Sequence, residues 1–122
     1  MNDLLENFHS ATPEVACSSI ANSDGLPLIS KLTPQIDESD LSALIATIAH
    51  VGQRSMRELT PGKCQRVLVE GTSGSMVVAQ IDTQVYLGVL MRRNASLGIN
   101  LFQIKRISET MQQVMEKSNA SK

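Results

Sequence analysis

Aromatic side chains are nearly absent from this sequence: two Phe, one Tyr and no Trp among 122 residues, or 2%. Single-stranded nucleic acid and sugars are usually held on several stacked rings, so both ligand classes are disfavoured. Net charge is lacking as well. Lys and Arg number 11 against 12 Asp and Glu, giving −1 at neutral pH. No whole-molecule field exists to hold a phosphate backbone or an anionic bilayer, and no nucleic-acid partner is expected. Cys17 and Cys64 are the only cysteines, far apart and without CxxC spacing. They argue against a zinc site or a disulfide framework and for a reduced, cytoplasmic setting. With only His9 and His50 to offer imidazole, neither a metal nor a cofactor is expected. Long apolar runs are missing too, none approaching the roughly 18 residues of a membrane span, so no membrane insertion is expected. The opening MNDLLENFHS carries acids where a secretion signal needs lysine before an apolar stretch.

What remains is 42% hydrophobic, aliphatic and methionine-rich, in a length that suits one core. One domain is expected over residues 1–116, with a flexible polar tail at 117–122. Leu4, Leu5 and Phe8 stand at helical spacing before Thr12-Pro13, where proline ends the turn. Val15 to Ala21 and Leu26 to Leu32 then flank Asn22-Ser23-Asp24-Gly25, a hairpin whose second run contains Pro27 and therefore belongs at a sheet edge. Asp37, with Asp40 in the first turn, caps a long helix. Leu41, Leu44, Ile45, Ile48, Gly52, Ser55, Met56 and Leu59 form its expected core stripe, and Pro61-Gly62 ends it.

Lys63 to Glu70, Ser75 to Ile81 and Gln84 to Met91 read as three strands, joined by Gly71-Thr72-Ser73-Gly74 and by Asp82-Thr83. Connections so short force antiparallel neighbours. Asn94 to Ser96 offers caps for a last helix with Leu97, Leu101, Ile104, Ser108, Met111 and Met115 on one face. Phe102 points away from that stripe, toward an expected contact with Leu4, Leu5 and Phe8. The resulting order is αββαβββα, an α+β fold: a five-stranded antiparallel sheet, its first and last helices on one face and the middle helix on the other.

Catalytic constellations are poor. There is no GxSxG elbow for a serine nucleophile, and the loop at Gly71–Gly74 lacks GK[ST] and joins strand to strand, so a hairpin turn explains it better than a phosphate cradle. His50 has no second histidine or acid at i+4. Asp24 reads as a turn residue, Arg92-Arg93 as a solvated strand end, and both cysteines as small core residues. The chain is expected not to be an enzyme.

Two surfaces exceed what one core needs. The strand holding Gln65, Val67 and Val69 shows no polar edge protection, and edges of that kind pair with something. Beside it, the Ser42, Ala46 and Ala49 flank of the middle helix has side chains small enough for a second helix to approach. Strand-to-strand and helix-to-helix contact across a two-fold axis satisfies both. Thr47, His50, Arg54 and Arg57 lie roughly opposite the core stripe.

Val15-Ala16 leading into Asn22-Ser23-Asp24-Gly25-Leu26-Pro27-Leu28, the Asp37-capped helix, Val67-Leu68-Val69-Glu70, Tyr86-Leu87-Gly88-Val89-Leu90 and Ala95-Ser96-Leu97-Gly98 together resemble the Roadblock, or dynein light-chain, domain family. The likeness runs from about Leu4 to Met115 and is strongest to the bacterial MglB-type regulators of Ras-like GTPases. It implies a fold akin to profilin and longin domains, and a homodimer that binds a small Ras-like GTPase without catalytic residues of its own. Carried over by position, the dimer contacts are Ser42, Ala46, Ala49 and Gln53 with Gln65, Val67 and Val69. His50, Arg54 and Arg57 then face the GTPase. The alternatives are an adaptor bridging larger assemblies and a small-ligand sensor.

Overall fold

Helix α1, Asn2–Ala11, opens a computed structural model that describes residues 1–93 and 95–120. It turns Leu5 and Phe8 inward and stops at Thr12, whose hydroxyl donates to the Phe8 carbonyl and whose N–H donates to that of His9. Strands β1, Val15–Asn22, and β2, Pro27–Lys31, follow as a hairpin. The Asn22 side-chain oxygen accepts the N–H groups of Asp24 and Leu26 at 3.0 and 3.1 Å. Gly25 sits between them at φ +82°, a conformation that strains any side chain.

Helix α2 spans Glu38–Leu59, with the Asp37 carboxylate accepting the Asp40 N–H at 3.1 Å as the cap requires. Strands β3, Arg66–Glu70, β4, Gly74–Asp82, and β5, Val85–Arg92, form a meander, and α3 runs from Leu97 to Ala120. The five strands order as β2-β1-β5-β4-β3, every neighbour antiparallel. Pro27 thus lies on an edge strand as its missing donor demands, and β3 forms the other edge.

Two cores result. On one face Leu5 and Phe8 of α1 join Ile104, Ile107 and Met111 of α3 over Ile20, Val77, Ala79 and Val89. On the other, Leu41, Ile45 and Ala49 of α2 cover Cys17, Ala21, Val78 and Tyr86. This is the α+β arrangement expected, with α1 and α3 on one face and α2 opposite. Among the described residues no helix is long and apolar enough to cross a membrane.

Four local expectations need amending. The β4–β5 turn is Thr83-Gln84, one residue later than expected, because Asp82 still pairs with Val85. Residues 117–120, placed in a polar tail, continue α3: after Gly98 no Gly or Pro interrupts it, and Gln112, Gln113, Glu116 and Lys117 all favour helix. Phe102 does not settle on α1 but stays 58% exposed, while Leu101 packs against the core in its stead. The cap of α3 comes from afar: the Ser96 N–H donates to Glu14 Oε2 at 2.8 Å. Asn94, offered as a cap, lies outside the described residues, as do Ser121 and Lys122 of the tail.

Candidate functional site

Helix α2 presents three faces, and the structure assigns them differently from the sequence pattern. Ser42, Ala46 and Ala49 are 0%, 5% and 6% exposed in the single chain. The Ser42 hydroxyl donates to the Ser39 carbonyl, and half-buried Gln53 donates to Gln80 Oε1 of β4 at 3.1 Å. The four α2 positions expected to meet a second copy therefore face the chain's own sheet, and that expectation is corrected.

The physical reason is closeness of approach. A Cβ at Gly88 of β5 would overlap the Ile45 side chain, and one at Gly52 would overlap Val67 Cγ2 and lie 2.8 Å from Cys64 Sγ. At each point the bare glycine backbone of one element lies directly against a side chain of the other, Gly88 against Ile45 and Gly52 against Val67. Small residues on α2 are what this approach requires of the face turned to the strands.

The displaced apolar residues form the free face. Leu44, Val51 and Leu59 are 55%, 61% and 78% exposed, with Ile48 and Ser55 half-buried among them. Positions 44, 48, 51 and 55 follow the four-three spacing of a seam between two helices, with 59 one turn farther on. Leu44, Ser55 and Leu59 had been expected in the core and Val51 in neither set, while Ile48, at the border of the two faces, still packs against the core as expected. The signal was there: residues 41–52 hold more apolar positions than a single stripe uses.

Beside this seam lies β3. Its hydrogen bonds go to β4 alone, leaving the outer edge without a strand among the described residues. Val67 is half-buried, Gln65 and Val69 are exposed, and Leu68 is 40% exposed. Val51, Gly52, Ser55 and Met56 of α2 and Cys64, Val67 and Leu68 of the β3 segment line an open groove of about 540 Å³. The expected β3 residues and the exposed α2 seam are thereby brought onto one surface.

His50, Arg54 and Arg57 share the remaining face of α2, all exposed. His50 meets Tyr86 edge to face, ring centroids 6.1 Å apart. Arg54 pairs with Glu58 one turn on, at 3.0 Å. Arg57 and Lys63 flank a hollow of about 520 Å³ at the carboxyl end of the helix. This face is cationic and polar, and it adjoins the apolar seam.

Elsewhere the chemistry is structural. Gly71 donates to Gly74 across the β3–β4 turn at 2.8 Å, closing a hairpin. Cys17 is fully buried, and that burial pushes its thiol up from the ordinary range. Arg92 and Arg93 are exposed, with Arg92 Nε donating to the Pro13 carbonyl. Among the described residues no three His, Cys, Asp or Glu side chains converge as metal ligands.

The family model described as the Roadblock/LC7 domain matches residues 1–91. No curated protein sequence matches the chain. Solved structures do. MglB of Myxococcus xanthus superposes with a TM-score of 0.86 at 19% identity, covering 95% of this chain and 94% of that one. A Roadblock/LC7 domain from Streptomyces avermitilis gives 0.84 at 18%, covering 95% and 98%. Profilin II of Acanthamoeba castellanii gives 0.66 at 11%, covering 92% and 96%, and shares the fold.

Proposed function

This chain belongs to the Roadblock/LC7 domain family, and from that membership we propose that it acts in the cytoplasm as a homodimeric, non-enzymatic regulator of a small Ras-like GTPase. The observation that carries the reading is the continuity of the exposed α2 seam with the unpaired β3 edge. One two-fold axis beside both lays Leu44, Ile48 and Val51 against their equivalents and joins the two β3 strands into one sheet. Val67, Val69 and Gln65 keep the role expected of them. Ser42, Ala46, Ala49 and Gln53 support the helix from beneath.

His50, Arg54 and Arg57, repeated by the two-fold, offer the GTPase a polar cationic platform. The GTPase brings nucleotide, metal and catalytic groups; this protein contributes a rigid surface that favours one arrangement of the switch loops. GTP turnover by a Ras-like GTPase from the same genome, with and without this protein, tests the reading. A raised rate supports regulation. Binding with an unchanged rate rejects it in favour of an adaptor, a reading that the exposed apolar surface on α3 also favours.

A further inference from the structure

Of the three aromatic side chains, Phe8 and Tyr86 are 6% and 1% exposed, whereas Phe102 is 58% exposed. One turn before it, Ile99 is 64% exposed. One turn after it, the Arg106 guanidinium lies 5.9 Å from the Phe102 ring centroid. A stacked guanidinium is held in place at little further entropic cost when a carboxylate arrives. Ile99, Phe102 and Arg106 stand at i, i+3 and i+7, the line along which one helix meets another. Arg93 is exposed in the segment leading into α3, whereas Lys105, also exposed, lines a groove with Asp82, Glu109 and Glu116 on the helix's other flank. Among the described residues no carboxylate lies within ion-pair distance of Arg93, Lys105 or Arg106.

This patch lies on the α1 and α3 layer, with the sheet between it and α2, and beyond the residues that the family model matches. We propose that the amino-terminal half of α3 docks an acidic amphipathic helix of a partner protein. Its apolar side chains cover Ile99 and Phe102, and its carboxylates meet Arg93 and Arg106. Charge complementarity selects that occupant. A second copy of this face would set cations against cations. A flat anionic bilayer would also meet Glu109, one turn beyond Arg106, and Glu116 farther along α3, both exposed, over a wider area than one crossing helix covers.

Amide spectra of the isotope-labelled full chain, titrated with a synthetic Leu/Glu amphipathic helix, test this. Shifts centred on residues 99–106, and a loss of affinity of about fivefold or more in Phe102→Ala and in Arg106→Gln, are expected. Both substitutions are at exposed positions, so thermal midpoints should hold. Equal binding of a Leu/Lys peptide, shifts centred on α2, unchanged affinity in Phe102→Ala, or binding to phosphatidylglycerol vesicles without binding to the peptide would each overturn the proposal. A Val51→Asp variant should bind the peptide as the wild type does, so failure of the dimer reading and failure of this one are separable.

Discussion

Glu14 and Asn100, 86 residues apart in sequence, are joined by a hydrogen bond from Asn100 Nδ2 to Glu14 Oε1 of 3.1 Å. The other carboxylate oxygen takes the Ser96 N–H, so a side chain from the α1–β1 connection caps the first turn of α3. Its negative charge also stands where the helix dipole is positive. Asn100 is 2% exposed and donates in addition to the Ser96 carbonyl. Glu14→Ala removes cap and charge together and should cost about 1–2 kcal/mol, read as a lowered midpoint in thermal denaturation. Glu14→Gln, which keeps an acceptor, should recover part of that loss.

Ala46 and Val51 separate folding from assembly. Ala46→Arg forces a long charged side chain between α2 and the sheet, and the variant should unfold or lose several kcal/mol in denaturant titration. Val51→Arg changes a residue 61% exposed in the single chain. It should leave the circular dichroism spectrum intact while light scattering reports a monomer. A dimeric Val51→Arg protein would place the interface elsewhere.

Gly88 is tested through its neighbour. Gly88→Ala places a methyl group on the Ile45 side chain and should destabilise by about 1–3 kcal/mol. Ile45→Val alone should cost about 1 kcal/mol as a large-to-small change in the core. Combined, the two should be less damaging than their sum, because the smaller side chain vacates the space. A denaturant double-mutant cycle measures that coupling, and strict additivity would show that the two sites do not touch.

His9 makes stability depend on pH. Its Nε2 lies 2.6 Å from the oxygen of fully buried Ser18. Burial chiefly, and then the Lys31 charge, lower its pKa, with Glu6 opposing them. The unfolded chain, titrating near the ordinary histidine value of about 6.5, therefore binds the proton more readily than the folded one. This contribution is fully present above that value and is lost as pH falls through it toward the folded pKa. His9→Gln should flatten the stability profile across that window in urea titrations at several pH values; an unchanged slope would assign the dependence to another group.

The order of elements, the Asp37 cap, the Gly25 turn and the edge position of Pro27 were all legible, because each rests on chemistry within a few residues. The orientation of α2 was not. LSALIATIAHVG supplies apolar side chains to two adjacent stripes, and the bare backbone at Gly88, some forty positions away, makes the room for Ile45 that turns its stripe, with Leu41 and Ala49, inward. The same holds for Glu14 as a cap: its partners are brought to it by the whole sheet. Of the candidate site, β3 was found by its lack of edge protection and the cationic face by its helical spacing. The apolar seam between them was read as core.

Pro27 has a consequence for the size of any assembly. It sits on β2 opposite Ala21, beside the bulge after Ile20, and can offer no N–H to an incoming strand. A fibre needs two mutually reactive ends on every subunit, and of the two edges among the described residues β2 carries a proline and β3 does not. In the proposed dimer, joining at β3 would consume that edge of both copies at once and leave only the proline-bearing β2 edges facing outward.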